Sequence, residues 1–344
     1  MKIIIVGSFI YEMYAPAFYN AWKDMGHEVV KIDYNDFLLK GDNIASTFLN
    51  KFQTRYHWGL KMRAFNHAII ESVNNFKPDL IFLYRCYHIY GKTVEIISKK
   101  TVVFSYNNDD PFSNVPSKAY FRHYIADARF CHLNYVYRKK NITDFEHIRI
   151  RNCKVLLPYY RQEANYYIDC EKDIPIAFLG HFENDGRDKL ILSLKSVGLP
   201  VVVFGDEQWK SAPLYKEIAD VVKPAKRGTA YNETINRCQV LLVFFSKLNH
   251  DTYTRRCFEI PASKGVMLCE YTDDMNDLYP EDECALYFRN EEELISKAKF
   301  LLQNPEIRER LLENAYTRLK ELGGSEYERC QEIIDDFKQI TTII

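Results

Sequence analysis

Between Asp251 and Gly265 the chain reads Asp251-Thr-Tyr-Thr-Arg-Arg-Cys-Phe-Glu259-Ile-Pro-Ala-Ser-Lys-Gly265. Two acids, two arginines and several hydroxyls crowd into one short stretch. Such a set suits a molecule that joins a diphosphate to sugars. Arg255 or Arg256 can clamp phosphate oxygens bidentately, and the hydroxyls of Tyr253 and Thr254 can donate to them. A helix starting near Cys257 would point free N–H groups at the anion. Glu259, one turn on, would accept the hydroxyls of a ribose, and Asp251, eight residues earlier, would hold the sugar. Pro261 is tolerated near a first turn, and Gly265 would give the left-handed cap. The plain alternative is an exposed helix start carrying an Arg–Glu surface pair.

Other segments offer weaker chemistry. Phe178-Leu-Gly180-His-Phe-Glu-Asn-Asp-Gly186-Arg187 follows a strand pattern. Gly180 would let a phosphate approach the backbone, and Arg187 would meet it at a helix start. The run lacks G-x-G-x-x-G, so the dinucleotide fingerprint is absent. Val203-Phe-Gly205-Asp206 ends another strand, and Lys226 lies in the basic loop Val222-Lys-Pro-Ala-Lys226-Arg227-Gly228. In the first half, Gly7-Ser8-Phe9 and Asn107-Asn-Asp109-Asp110-Pro111-Phe112 follow strands. Asp109 or Asp110 would hold an acceptor hydroxyl or act as a base, although Asn-Asp-Pro runs also cap turns. There is no P-loop and no G-x-S-x-G elbow. The histidines have no metal-ligand spacing, and no metal is expected.

The elements that must position these residues alternate. Lys2–Val6, Glu28–Ile32, Asp79–Tyr84 and Thr101–Tyr106 read as strands, as do Ala128–Leu133 and Cys153–Leu157. Ala15–Met25, Tyr56–Phe76, Gly91–Lys99 and Pro116–Asp127 read as helices between them. After a tyrosine-rich polar stretch from Pro158 to Asp169 the pattern restarts. Ile174–Leu179, Pro200–Phe204, Gln239–Phe244, Val266–Glu270 and Ala285–Phe288 form the second strand set. Near-continuous apolar strands separated by helices imply parallel sheets buried on both faces and right-handed βαβ units. Two Rossmann-like domains are expected, residues 1–165 and 170–324, with ligands at the carboxyl ends of their strands and in the cleft between them. Gly323-Gly324 would stop one closing helix before a second, 325–344, which completes the first domain.

The 344 residues are about right for two domains. Lys plus Arg is 46 against 47 Asp plus Glu, a net charge of −1. That balance gives no argument for nucleic acid or an anionic membrane. Nine cysteines, an odd number without C-x-x-C, point to reduced thiols in the cytoplasm. The 25 tyrosines and 22 phenylalanines fit a large aromatic core or platforms for sugars. No segment is long and apolar enough to cross a bilayer.

Several of these segments together resemble the CgeB-like glycosyltransferases, a spore-maturation-protein branch of the GT-B superfamily. Thr254-Arg-Arg-Cys-Phe-Glu259-Ile-Pro-Ala-Ser-Lys-Gly265-Val-Met-Leu is similar to their RTFE-x-x-A-x-G-G-x-x-L segment. Ile176-Ala-Phe-Leu-Gly180 resembles their F-x-G turn, and Asn107 to Phe112 their N-x-D-D-P-F segment. Pro78-Asp-Leu matches their PDL strand, and Ser325-Glu-Tyr-Glu-Arg329 opens a similar closing helix. The resemblance implies a GT-B fold, a metal-independent glycosyltransferase and a UDP- or GDP-linked donor sugar bound in the C-terminal half. A glycan, lipid-linked saccharide or protein hydroxyl would be the acceptor. Asp251 and Glu259 stand where retaining members have an E-x7-E pair, with Asp replacing the first Glu and Lys264 replacing a glycine. Arg256, with Asp109 or Asp110 as base if the reaction inverts, would carry catalysis. The competing readings are a non-catalytic nucleotide-sugar binder or surface-coat assembly protein, and a sugar-nucleotide epimerase.

Overall fold

The computed structural model describes residues 1–38, 44–113 and 118–343. The chain divides into two compact units, Met1–Leu157 with Glu326–Ile344, and Pro158–Ser325.

The first unit holds six strands: β1 Lys2–Gly7, β2 Glu28–Asp33, β3 Leu80–Tyr84, β4 Val102–Asn107, β5 Leu133–Val136 and β6 Cys153–Val155. They form one sheet in the order β2-β1-β3-β4-β5-β6, with every pair parallel. Ile3, Ile4, Ile5 and Val6 are fully buried, as are Leu80 to Phe82. Strands covered on both faces need such unbroken apolar runs. Aromatic side chains fill the layer beneath the helix Ala15–Asp24, where Phe18 and Trp22 lie against Phe82 at ring separations of 5.4 and 5.3 Å. The final helix, Glu326–Ile343, closes this layer: Cys330 is fully buried and its carbonyl accepts from Trp22 Nε1 at 3.4 Å. Asp336 receives the Tyr135 hydroxyl at 2.7 Å and Lys154 Nζ at 2.7 Å.

The second unit repeats the plan with β7 Ile174–Leu179, β8 Val201–Gly205, β9 Val222–Pro224, β10 Cys238–Val243, β11 Met267–Glu270 and β12 Leu286–Phe288. The order is β12-β11-β10-β7-β8-β9, again all parallel. Its core runs through Ile176, Phe178, Val203, Val240, Leu242 and Leu268. From β7 the chain moves outward to β8 on one side and returns as β10 on the other. The crevice outside the carboxyl ends of β7 and β10 is therefore the topological switch point, where such sheets take ligands.

The structure departs from the sequence reading in places. Ala128–Phe130 is a 3₁₀ turn, and the expected strand shifts to Leu133–Val136. The basic loop from Val222 begins as the edge strand β9. A helix, Ile44–Tyr56, precedes Leu60–Phe76 with a break at Gly59. Its apolar side chains Phe48, Leu49, Phe52 and Tyr56 are exposed, so the sequence pattern gave no inward stripe to read. The start of the expected Pro116–Asp127 helix lies outside the described residues, and Lys118–Asp127 is helical. Residue 344 also lies outside them. Gly323, at φ +58°, ends the helix Pro305–Glu321 as read, with Gly323 N–H to Lys320 O and Gly324 N–H to Leu319 O, both 3.1 Å.

Candidate active site

In the second unit the residues singled out in sequence stand at or after the carboxyl ends of β7, β8, β9 and β10, with divided roles. Gly180 follows β7. Its N–H donates to Phe204 O at 3.1 Å and its carbonyl accepts from Trp209 Nε1 at 2.9 Å. A β-carbon at Gly180 would stand 2.8 Å from Phe178 Cζ and 3.2 Å from an Arg256 guanidinium nitrogen. The glycine thus lets a cation close on the turn. At Gly205 a β-carbon would collide with Trp209, so the space there belongs to the indole and not to a phosphate.

Arg187 corrects the sequence reading. It is 2% exposed, and its guanidinium grips the Asp185 carboxylate at 2.8 and 2.6 Å while donating to His181 O at 2.7 Å. A buried, already neutralised arginine braces the turn; it is not free to meet a phosphate. Glu183, which the sequence reading passed over, links this turn to the loop after β10. Its two oxygens take Ser246 Oγ at 2.5 Å and His181 Nε2 at 2.9 Å. Burial alone would raise its pKa, but the His181 and Ser246 hydrogen bonds and the Arg187 charge outweigh this and bring it to about 2.

The helix Arg256–Ala262 follows the loop. Arg256 lies over the Phe178 ring at 5.4 Å, and its Nε is buried without a hydrogen-bond partner among the described residues. Buried donors are seldom left so; Nη1 of the same guanidinium faces the Gly180 turn. Glu259 is 7% exposed. Arg255 Nε lies 2.8 Å from one of its oxygens, and the Tyr231 hydroxyl donates to the other at 2.8 Å. Tyr231, on the helix Thr229–Arg237, had no mark in sequence beyond following the basic loop. Burial and the Glu259 carboxylate hold its phenol well above the usual pKa, so it stays a donor.

Asp251 is half-buried, with Oδ1 accepting from Asn249 Nδ2 at 3.3 Å. Thr254 is also half-buried and accepts the Cys257 N–H at its carbonyl at 3.0 Å. Tyr253, by contrast, is 1% exposed and belongs to the interior, so it does not present a hydroxyl to a ligand. Lys226 is exposed, its amine 5.5 Å from the Phe204 ring. The left-handed residue at the helix end is Lys264, φ +50°, not Gly265. Lys264 N–H bonds Pro261 O and Gly265 N–H bonds Ile260 O, both at 2.9 Å. Gly265 is small for another reason: a β-carbon there would stand 2.7 Å from Ile260 Cγ2 and 2.8 Å from Leu241 Cδ1. Glu270, at the end of β11, accepts the Phe245 N–H at 2.7 Å, and burial raises its pKa.

In the first unit, Asp109 and Asp110 part ways. Asp110 is fully buried; its Oδ1 accepts the Phe112 N–H at 2.9 Å and Asn141 Nδ2 at 2.8 Å. That is turn chemistry, not the setting of a general base. Asp109 is partly exposed, paired with Arg85 at 2.5 Å and with the Tyr87 hydroxyl at 3.1 Å. Arg85 was not foreseen. It sits just after β3 in the left-handed region, φ +48°, which turns its side chain out of the strand's alternation. Among the described residues no group of three or more His, Cys, Asp or Glu could hold a metal ion.

Residues 187–332 match a family model described as glycosyl transferase-like. The structure superposes on sucrose-phosphate synthase from Thermosynechococcus elongatus with a TM-score of 0.73 at 9% identity, over 100% of both chains. It superposes on Anabaena HepE, in complex with UDP and glucose, with a TM-score of 0.72 at 11% identity, over 98% of this chain and 99% of that one. A glycosyltransferase from Rickettsia africae ESF-5 gives 0.66 at 11% identity, over 99% and 98%. No curated protein matches the chain by sequence. The fold is GT-B, and residues 187–332 are similar to the glycosyl transferase-like family.

Proposed function

We propose that this protein moves a sugar from a nucleotide-diphosphate donor to a hydroxyl acceptor without a metal ion, as a CgeB-like member of its class. The observation that carries the reading is the Arg256 guanidinium at the β7/β10 switch point: its Nη1 faces Gly180, and its Nε is buried without a hydrogen-bond partner among the described residues. A diphosphate laid across that turn would complete the arginine's hydrogen bonds. Glu259, held by Arg255 and Tyr231, has lone pairs left for the ribose hydroxyls. Asp251 would hold the sugar. HepE is known in complex with UDP-glucose, which makes a UDP-linked donor the first to try here.

In the transfer, the bond from the anomeric carbon to the β-phosphate oxygen breaks. A bond to the acceptor oxygen forms, and the acceptor proton must leave. Arg256 would offset charge on the departing diphosphate, and stabilising such developing charge is usually the largest catalytic contribution. If the anomeric centre inverts, Asp109 is the carboxylate suited to take the proton; Asp110 is occupied by its turn.

The test is a thermal-shift panel of UDP, GDP, dTDP, ADP and CMP in excess chelator. A specific ligand raises apparent stability by mass action. One clear responder is expected. Stabilisation by none, in protein that unfolds cooperatively, would overturn the donor assignment.

A further inference from the structure

The helix Ile44–Tyr56 in the first unit is inside out. Its polar residues Asn50 and Gln53 are 4% and 3% exposed, whereas Phe48 is 71%, Leu49 53%, Phe52 41% and Tyr56 52% exposed. Phe48, Phe52 and Tyr56 are four apart and Leu49 is three before Phe52, so they share one face. The Phe52 and Tyr56 rings lie 4.6 Å apart. Just beyond, Trp58 is 62% and Leu60 80% exposed. This turn is fixed: Gln53 Oε1 accepts the Lys61 N–H at 3.0 Å, and Gln53 O accepts the Trp58 N–H at 3.1 Å. A helix ordinarily buries its apolar stripe, and a contiguous exposed apolar patch marks an interaction surface.

Charge decides what covers it. Lys51, Arg55, Lys61 and Arg63 fall between residues 44 and 70, and that span has no Asp or Glu. Lys51 and Arg55 lie three and seven residues after Phe48, along one edge of the apolar face. The balanced charge of the whole chain hides this local excess. Two copies of the patch would bring like charges together, which opposes self-association. Aromatic and leucine side chains flanked by Lys and Arg on a helix of 13 residues, too short to span a bilayer, are what an anionic lipid interface accepts.

We propose that Phe48–Leu60 is a membrane-docking surface that lays the first unit on an anionic bilayer. The inference goes beyond donor chemistry and is read out separately from it. The full chain is sedimented with phosphatidylcholine vesicles, with and without about one-third phosphatidylglycerol. The account expects binding to the anionic vesicles that is at least about tenfold tighter than to phosphatidylcholine alone. Phe48→Ser with Phe52→Ser should abolish it, and Lys51→Gln with Arg55→Gln should remove the preference for anionic lipid. These positions are exposed, so circular dichroism and thermal unfolding should be unchanged. No binding to either vesicle by folded protein would overturn the proposal. So would a concentration-dependent dimer dissolved by Phe48→Ser with Phe52→Ser, since that would make the occupant a second copy.

Discussion

The Tyr231 hydroxyl donates to Glu259 at 2.8 Å, joining the helix Thr229–Arg237 to the helix Arg256–Ala262. With Arg255 on the other oxygen, the carboxylate is oriented before any ligand arrives. Preorganised groups of this kind lower the cost of binding.

Tyr231→Phe removes one of the two holds on Glu259. A donor bound through that carboxylate should weaken by about tenfold, with a stability loss of about 1 kcal/mol for the lost hydrogen bond. Glu259→Gln should weaken the donor at least as much. Calorimetric titration with the responding nucleotide checks both. Unchanged affinity in both variants would remove Glu259 from the donor site.

Arg187→Ala should behave differently. Removing it strands the Asp185 carboxylate in the interior, which costs about 3–5 kcal/mol. Thermal unfolding should fall sharply while nucleotide affinity, measured at low temperature on the folded fraction, stays within about twofold. A stable variant that had lost donor affinity would return Arg187 to the ligand.

Asp127 gives a pH signature. Its side chain is buried in the first unit with Oδ2 unpartnered among the described residues, and burial lifts its pKa from 3.8 to about 7. The folded form favours the neutral acid and the unfolded form the ion. The group therefore costs nothing below pH 3.8, and the cost grows through the window up to about 7. At neutral pH it reaches at most about 4 kcal/mol. Asp127→Asn should match the parent near pH 4 and exceed its melting temperature increasingly toward pH 7. Parallel melting curves across that range would refute the assignment.

Asp109→Asn and Asp110→Asn separate base from brace. If the transfer inverts, Asp109→Asn should lower kcat by about 10²-fold with little change in nucleotide affinity. Asp110→Asn keeps an oxygen for the Phe112 N–H and should cost under tenfold in kcat while shifting the melting temperature. The reverse order of effects would move the base to Asp110.

Much of the architecture was legible because parallel strands buried on both faces must be apolar without interruption, as in Lys2–Gly7 and Cys238–Val243. The density of acids and arginines singled out the segment around Glu259 in the sequence, and the fold brings its Arg256 close to the Gly180 turn. What was not legible depended on partners distant in sequence. Arg187 and Arg256 look alike in the sequence; only the fold gives one of them Asp185 and leaves the other's Nε open. Gly265 looked like a cap because glycine favours positive φ, but tight packing against Ile260 and Leu241 explains it, and Lys264 takes the strained position. Ile44–Tyr56 was missed since its apolar side chains Phe48, Leu49, Phe52 and Tyr56 are exposed.

In the proposed site Arg256 receives a diphosphate at the Gly180 turn. The direct measurement is the affinity of UDP, and of uridine without phosphates, for the parent protein and for Arg256→Ala. The account predicts that the parent binds UDP at least about tenfold more tightly than uridine and that Arg256→Ala erases this difference. An Arg256→Ala protein that is folded and still prefers UDP by the same factor would contradict it.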